Sequence, residues 1–199
     1  LITAIARILR QGARVKEDCT YMEESMAIRR APAKVEIRPL AEEEVPILEQ
    51  HLRSGPAIRH RQRYRLQEEG GGYCLIAWHD GLPVGHGVIS WSGSPDEPMA
   101  SQLRDCPDIE DLFVLPEYRS RGIGSQLLAA LEGLARRYGY SRVGLGVAID
   151  NVRAWDLYLR RGYADSGFGE YTHYTIYIDD QGRTRARTES CVYLIKELA

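Results

Sequence analysis

The 199-residue sequence is poor in cysteine and histidine, with four of the first and five of the second. No cysteines are spaced as C-x-x-C and no histidines as H-x-x-x-H, which excludes zinc-ribbon and thioredoxin-like motifs. We therefore expect no metal site, and reduced cysteines in a cytoplasmic protein. No apolar run approaches the roughly 18 residues that cross a bilayer, so no membrane partner is expected. The formal net charge of −2 gives the whole chain no attraction to nucleic acid.

Residues 1–33 mix isolated apolar residues with many charges and lack the apolar core of a signal peptide. We interpret them as an N-terminal extension that is disordered or artefactual, and residues 34–199 as one domain. With 44% hydrophobic and 27% charged residues, the composition is that of a globular protein. A monomer or a homodimer is expected.

The order of predicted strands and helices indicates an α/β (α+β) fold. Asp80-Gly81 between two apolar runs predicts a β-hairpin, and residues 92–107 form a polar loop. Strands followed by a strand–helix–strand unit imply a mixed sheet with helices on both faces. Strands are predicted at 34–40, 73–79, 82–91, 108–114, 142–148, from 163 onward and at 191–198, and helices at 41–53, 58–69, 124–138 and 151–161.

A glycine-bearing turn joins the strand at 108–114 to the long helix that follows. Glycine lets the backbone approach a ligand closely, and the first amides of a helix bind anions. The turn is neither a P-loop, because Ser125-Gln126 follows the second glycine, nor a dinucleotide fingerprint, because Leu127 replaces the third. Taken alone, it is an anion site or a plain helix start. Its residues are Arg119, Ser120, Arg121, Gly122, Ile123, Gly124 and Ser125.

A second motif begins at Asn151, a good N-cap for the helix predicted at 151–161. Ala154 and Tyr158 are four residues apart and share one face of that helix. Gly162 and Tyr163 follow the helix. By itself this segment is also consistent with a capped helix whose tyrosine is packed.

Together the two motifs resemble the GNAT superfamily of N-acetyltransferases. Its first signature, [Q/R]-x-x-G-x-[G/A], corresponds to Arg119, Gly122 and Gly124. Its second, N-x-x-A-x-x-x-Y-x-x-x-G-[FY], corresponds to the motif that begins at Asn151. The resemblance is specific over residues 108–163 and extends by element order from about 35 to 198.

The resemblance implies a splayed mixed sheet of six to seven strands that binds acyl-CoA between two of them. The pyrophosphate would lie on the amides of residues 121–125. The pantetheine arm would follow the backbone of Leu112, Phe113 and Val114 and contact the Asn151–Ala154 end of the helix. Tyr158 would protonate the departing thiolate.

Three carboxylates on the strand at 108–114 are candidates for the base. A protonated amine must lose a proton before it attacks a thioester. Strand alternation predicts Asp108 and Glu110 on one face and Asp111 on the other. The resemblance favours Glu110 as the base, with Asp108 as second choice. Alternatively, these acids are solvated or only attract a cationic substrate.

The acceptor is predicted from charge. Residues 96–111 contain six acids against Arg104 alone, so an acidic rim would concentrate a cationic amine. Polyamines, aminoglycosides, basic peptides and amino-acid side chains all qualify. The basic helix at 58–69 is interpreted as a solvated face, although facing the cleft it would admit an anionic or carboxylate-bearing acceptor. The tyrosines at 171–177 are attributed to strand packing.

The sequence therefore predicts an N-acetyltransferase with acetyl-CoA as co-substrate. The acetyl group would move to a primary amine of a small molecule or peptide by direct attack in a ternary complex. The alternative is a non-catalytic acyl-CoA-binding or regulatory module, which would need neither Tyr158 nor the strand carboxylates.

Overall fold

The described residues of the computed structural model are 34–52, 59–178, 181 and 183–198, so the extension predicted at 1–33 lies outside them. The structure contains two short 3₁₀ turns, at Glu42–Glu44 and Pro116–Tyr118, besides the following helices and strands. The helices are α1 Val45–His51, α2 Arg59–Glu68, α3 Met99–Gln102, α4 Ile123–Arg137 and α5 Val152–Arg160. The strands are β1 Glu36–Pro39, β2 Gly72–His79, β3 Leu82–Ser90, β4 Asp108–Val114, β5 Arg142–Ala148, β6 Ala164–Ile178 and β7 Thr184–Glu197.

The strands form one seven-stranded sheet in the order β1-β2-β3-β4-β5-β7-β6. Neighbouring strands are antiparallel except for β4 and β5, which are parallel. Asp80 and Gly81 both have positive φ values, of 50° and 77°, as the predicted β2–β3 hairpin requires. Because the sheet contains both parallel and antiparallel neighbours, the mixed sheet predicted from the sequence is confirmed.

Helices cover both faces of the sheet, as predicted. On one face α4 buries the apolar stripe that contains Leu127, Leu131 and Leu134 against the sheet. On the other face α1 buries Val45 and Leu48, which pack in a cluster with Ile76 and Trp78 of β2. The two apolar clusters therefore form the core of the protein, one on each face of the sheet.

The structure differs from the sequence prediction in three places. The loop predicted at 92–107 contains the short helix α3. β7 begins at Thr184 rather than 191, because it pairs with β6 along a long hairpin. A β-bulge in β4 interrupts the predicted alternation between Glu110 and Phe113. None of the helices in the described ranges is long and apolar enough to cross a membrane.

Candidate active site

The site begins where β4 and β5 separate. Within the described residues these strands pair only at Asp108 and Gly144. Beside this pair, the Gly144 amide donates a hydrogen bond to the Pro107 carbonyl. Beyond that point the two strands diverge. The facing edges of β4 and β5 are therefore available to an extended ligand, which would bind by main-chain hydrogen bonds as an added strand does.

A cavity of about 960 Å³ occupies this split and continues beyond it. The volume is within the 300–1,000 Å³ that is usual for ligand pockets. The cavity is bounded by β4, β5, β6, β7, α5, the loop after β3 and the first residue of α2. Its polar lining includes Arg59, Asp96, Asp108, Glu110, Asp111, Asn151, Tyr158, Tyr171, His173, Tyr174, Thr175, Arg187 and Glu189.

The glycine turn lies at the N-terminus of α4. Gly122 is the N-cap, with φ 77°, a conformation that only glycine adopts without strain. The amide of Gln126 donates to the Gly122 carbonyl at 3.1 Å, which makes it an early intrahelical bond of α4. The amides of residues 123–125 precede it, and such amides are the ones that bind anions at a helix start.

The arginines of this turn have different roles. The Arg119 Nε donates to the Val114 carbonyl at 2.9 Å and closes the turn. The Arg121 guanidinium lies over the Tyr118 ring, and its buried Nε has no hydrogen-bond partner in the described part of the chain. Arg153 of α5 donates to the Ser120 hydroxyl at 2.9 Å, so a third arginine, which the sequence analysis missed, joins the turn. These residues fit a polyanion such as a pyrophosphate.

The second motif forms the predicted capped helix. The Ala154 amide donates to the Asn151 side-chain oxygen at 3.2 Å, which confirms the N-cap. Asn151, Ala154 and Tyr158 all line the cavity. Tyr158 is 8% exposed, and burial raises the pKa of its hydroxyl to about 12. The hydroxyl therefore stays protonated at neutral pH and can serve as a hydrogen-bond donor.

The two candidate bases occupy different depths of the cavity. Asp108 is 7% exposed and accepts a hydrogen bond from the Tyr193 hydroxyl at 2.7 Å. Burial raises the pKa of Asp108 to about 7, the Tyr193 hydrogen bond opposes the rise, and the charge of Glu110 adds to it. Glu110 is exposed to the cavity, and its pKa is raised first by burial and then by the charge of Asp111. The pKa of Asp108 suits proton transfer near neutral pH, and that of Glu110 is shifted in the same direction.

Asp111 corrects the predicted alternation of the strand. It has φ 53° at the β4 bulge and lines the same cavity as Asp108 and Glu110, instead of lying on the opposite face. Its carboxylate contacts Arg59 at 3.4 Å and Arg63 at 3.1 Å. Since these arginines compensate its charge, Asp111 is less suited than its neighbours to act as a base.

The basic helix α2 is not simply a solvated face, and that interpretation was wrong for two of its arginines. Arg59 lines the cavity, and the Arg63 side chain is 5% exposed. The Arg63 Nη1 donates to His60 Nδ1 at 3.0 Å, while His60 Nε2 bonds the Leu52 carbonyl. Burial lowers the pKa of His60 to about 4, so its neutral ring links α1 to Arg63.

We expect Arg63→Met to lower the free energy of unfolding by about 2 kcal/mol, because hydrogen bonds to charged groups contribute about 1.5–3 kcal/mol each. The matched control is Arg61→Met, two residues earlier on the same helix. Arg61 pairs with Glu42 at 3.1 Å in an exposed position, and such pairs contribute less than about 1 kcal/mol. Urea unfolding of both variants measures the difference, and equal losses would contradict the structural role of Arg63.

The stretch at 171–177 lies in the long strand β6, in agreement with the strand packing expected from the sequence, and several of its side chains contribute to the cavity as well. Tyr171, His173 and Tyr174 line the cavity, and Tyr174 is 68% exposed. His173 Nδ1 lies 2.6 Å from an Asp96 carboxylate oxygen, which ties β6 to the loop after β3. Four of the six acids in the predicted rim line the cavity: Asp96, Asp108, Glu110 and Asp111.

Three of the cysteines, Cys74, Cys106 and Cys191, are free and buried, as expected for reduced packing residues. In the described ranges no three His, Cys, Asp or Glu side chains are grouped to hold a metal ion.

Comparison with known proteins identifies a family for this chain. The Acetyltransferase (GNAT) family matches residues 36–163. The chain is 40% identical over 65 residues to thialysine N-epsilon-acetyltransferase of Bos taurus, which is 33% of this chain and 38% of the relative. It is 44% identical over 61 residues to aminoalkylphosphonate N-acetyltransferase of Salmonella typhimurium, which is 31% of this chain and 40% of the relative. The chain thus covers less than half the length of these curated relatives.

Solved structures share the fold. A ribosomal-protein-alanine N-acetyltransferase from Brucella melitensis superposes with a TM-score of 0.61 at 20% identity, covering 82% of this chain and 99% of the other. The yncA protein from Salmonella typhimurium, solved with its cofactor acetyl-CoA, has a TM-score of 0.61 at 15% identity and covers 84% and 95%. At these identities the likeness concerns the fold alone.

Proposed function

The chain belongs to the acetyltransferase (GNAT) family, and on that premise we propose that it is an N-acetyltransferase. The acetyl group would pass from acetyl-CoA to a primary amine of a small molecule or peptide by direct attack in a ternary complex. The observation that carries this proposal is the cavity in the β4–β5 split, which is lined by Glu110, Asp108 and Tyr158.

The proposed cofactor site uses the turn and the split. The pyrophosphate of acetyl-CoA would lie on the amides of residues 121–125, with Arg119 and Arg121 adding positive charge. Support comes from the left-handed conformation of Gly122, from the diverging edge of β4, and from the buried Arg121 Nε, which has no hydrogen-bond partner among the residues that the structure describes. The pantetheine arm would follow the backbone of residues 112–114 and reach Asn151 and Ala154 on α5.

The strand carboxylates would supply the base. Glu110 is exposed to the cavity, where an ammonium group arrives, and Asp108 lies deeper on the same strand. Burial raises the pKa of Asp108, and the charge of Glu110 adds to that rise. We assign the base function to this pair, with Glu110 as the carboxylate that meets the amine.

In the reaction the ammonium group first passes one proton to a carboxylate of the pair, the amine nitrogen then forms a bond to the acetyl carbonyl carbon, and the C–S bond breaks. The second proton of the nitrogen is lost as the amide forms and ends on the thiolate, which gives a neutral amide and the free thiol. Tyr158 would act on the leaving thiolate. A free thiol has a pKa of about 8.5, so full proton donation from a hydroxyl with a pKa of about 12 is unfavourable. Its hydroxyl would therefore stabilise the thiolate mainly as a hydrogen-bond donor.

The acceptor is proposed to be an amine on the basis of charge. The cavity lining has more acids than arginines: its arginines are Arg59 and Arg187, and its acids are Asp96, Asp108, Glu110, Asp111 and Glu189. The names of two relatives give amines, thialysine and aminoalkylphosphonates, as their substrates. Because Arg59 lines the cavity, amines that also carry a carboxylate or phosphonate belong among the candidates.

The deciding experiment measures release of free thiol from acetyl-CoA with a panel of amines. The panel contains polyamines, aminoglycosides, basic peptides, and amino acids and aminophosphonates. Amine-dependent thiol release supports the enzyme. Acetyl-CoA binding by calorimetry without release for any amine would favour the non-catalytic acyl-CoA-binding module. Three further expectations stay predictions. They are a cytoplasmic location, a monomeric or homodimeric state, and no binding to nucleic acid or membranes.

We expect Tyr158→Phe to lower turnover by about tenfold or more, within the range of groups that assist proton transfer, and to leave acetyl-CoA affinity nearly unchanged. The hydroxyl is proposed to act only when the thiolate forms, late in the reaction. Tyr163→Phe is the matched control, because the Tyr163 ring lies 5.9 Å from that of Tyr158 and is also buried, but Tyr163 does not line the cavity. Wild-type turnover in Tyr158→Phe would remove this residue from the mechanism.

A further inference from the structure

Two glycines of β5 make room for two tyrosines of the neighbouring hairpin. A Cβ atom on Gly144 would collide with the Tyr193 ring and hydroxyl, and one on Gly146 with the Tyr171 hydroxyl. Any side chain at these positions would therefore displace a tyrosine. The Gly-Leu-Gly segment of β5 thus allows aromatic side chains from β7 and β6 to pass across the strand toward the split.

Tyr193 uses this passage to reach the site. β7 and β4 are not neighbours, because β5 lies between them. Tyr193 pairs with Gly146 and Asp108 with Gly144, so the tyrosine crosses β5 diagonally above Gly144. Its hydroxyl donates to Asp108 Oδ1 at 2.7 Å, and Tyr193 is 1% exposed. The hydrogen bond is buried, and the Tyr193 ring occupies the space that the absent side chain of Gly144 leaves.

The other charges around Asp108 mostly oppose its ionisation. Glu110 on the same strand and Asp96 on the loop after β3 disfavour the carboxylate, and burial acts in the same direction. His173 on β6 favours it when charged. The Tyr193 hydroxyl favours the ionised form, because it donates a hydrogen bond directly to the Asp108 carboxylate. Hydrogen bonds to an ionised acceptor are stronger than those between neutral groups. The titratable groups that face Asp108 are Glu110, Asp96, Cys106, Tyr158, Tyr171, His173 and Tyr193.

We propose that Tyr193 is a positioning residue of the acyl-transfer site, where its hydroxyl holds the ionised Asp108 carboxylate at the point from which β4 and β5 diverge. Gly144 is the residue that permits this contact. The proposal rests on the proposed function, since it assigns Tyr193 a part in the base function of the Glu110–Asp108 pair.

The test is the pH dependence of kcat/KM in Tyr193→Phe, measured as thiol release with the best amine of the panel. Without the donor, the Asp108 carboxylate is less stable and remains protonated to higher pH. The acidic limb should therefore move upward by about one pH unit, since a hydrogen bond to a charged group has about that effect. Rates on the limb fall about tenfold, and rates above the limb converge with wild type. Affinity for acetyl-CoA stays unchanged.

Tyr171→Phe is the matched control, because Tyr171 lies over Gly146 as Tyr193 lies over Gly144. Whatever its effect on rate, its acidic limb should stay at the wild-type pH. In an Asp108→Asn background, Tyr193→Phe should move no limb, because the group on which it acts is gone. An unmoved limb in Tyr193→Phe alone, or an equal shift in Tyr171→Phe, overturns the proposal.

A second readout does not depend on activity. The Asp108 carboxyl resonance is followed by ¹³C NMR in protein labelled at aspartate, and the signal is assigned by its loss in Asp108→Asn. Tyr193→Phe should raise the titration midpoint of this signal in the free protein. A raised midpoint without acetyl transfer in the wild type would defeat the proposed function alone. Normal transfer with an unchanged midpoint would defeat the role of Tyr193 alone.

Discussion

In Gly122→Glu, affinity for acetyl-CoA should fall by at least about 100-fold, the largest binding effect expected for this protein. The new carboxylate would lie at the start of α4, where the pyrophosphate is proposed to bind. Like charges brought together at an interface cost several kcal/mol, and each 1.4 kcal/mol is tenfold in affinity. Calorimetric titration with acetyl-CoA and with coenzyme A measures the loss.

The matched control is Gly122→Ala. Because Gly122 has φ 77°, both variants place a side chain in a left-handed conformation, which costs roughly 1–2 kcal/mol of stability. Only the glutamate adds a charge, so Gly122→Ala should bind acetyl-CoA close to wild type. Gly124 is a poorer position for this test, because its Cβ would pack against Leu157 and Val114. Unchanged affinity in Gly122→Glu would rule out the turn as the phosphate site.

The double variant Glu110→Gln, Asp108→Asn should lose about 10²–10⁴-fold in turnover near neutral pH, the range that general base catalysis contributes. Each carboxamide keeps the shape of the side chain and removes its basicity. The loss should shrink at high pH, because an aliphatic amine with a pKa near 10.4 is then increasingly free without help. Each single variant should lose less than the double, because the remaining carboxylate still accepts the proton.

Asp105→Asn serves as the control, since Asp105 belongs to the same acidic stretch but is exposed and does not line the cavity. It should keep the wild-type pH–rate profile. If both single variants and the double variant keep that profile as well, the strand carries no base. The acids would then only attract the acceptor, which would appear as a raised KM for cationic amines that approaches wild type as salt screens the attraction.

The predictions from sequence succeeded where local residues decide the conformation. Asp80-Gly81 adopts the positive φ values of a tight hairpin, Gly122 has φ 77° at the N-cap of α4, and Asn151 caps α5. Each of these features depends on a few consecutive residues and on backbone conformations that particular side chains favour. Both motifs, and the family that they indicate, could therefore be identified without coordinates.

The environment of each candidate base depends on contacts that no local pattern contains. The bulge at Asp111 arises from pairing with β3, and two arginines of α2 stabilise it from another part of the chain. Strand alternation therefore predicted the wrong face for Asp111. The basic pattern of α2 also gave no sign that Arg63 would be buried.

By itself the sequence determined the family, the order of the elements and the position of the glycine turn before α4, because these follow from short motifs and from apolar periodicity. Only the tertiary structure decided which side chains share the cavity. Tyr193 lies 85 residues from Asp108 and His173 lies 77 residues from Asp96, yet each pair is hydrogen-bonded. Such contacts form only when the sheet brings together segments that are distant in sequence: Tyr193 reaches Asp108 across β5, and His173 of β6 reaches the loop after β3. Burial at that place raises the pKa of Asp108, which residue type alone does not predict.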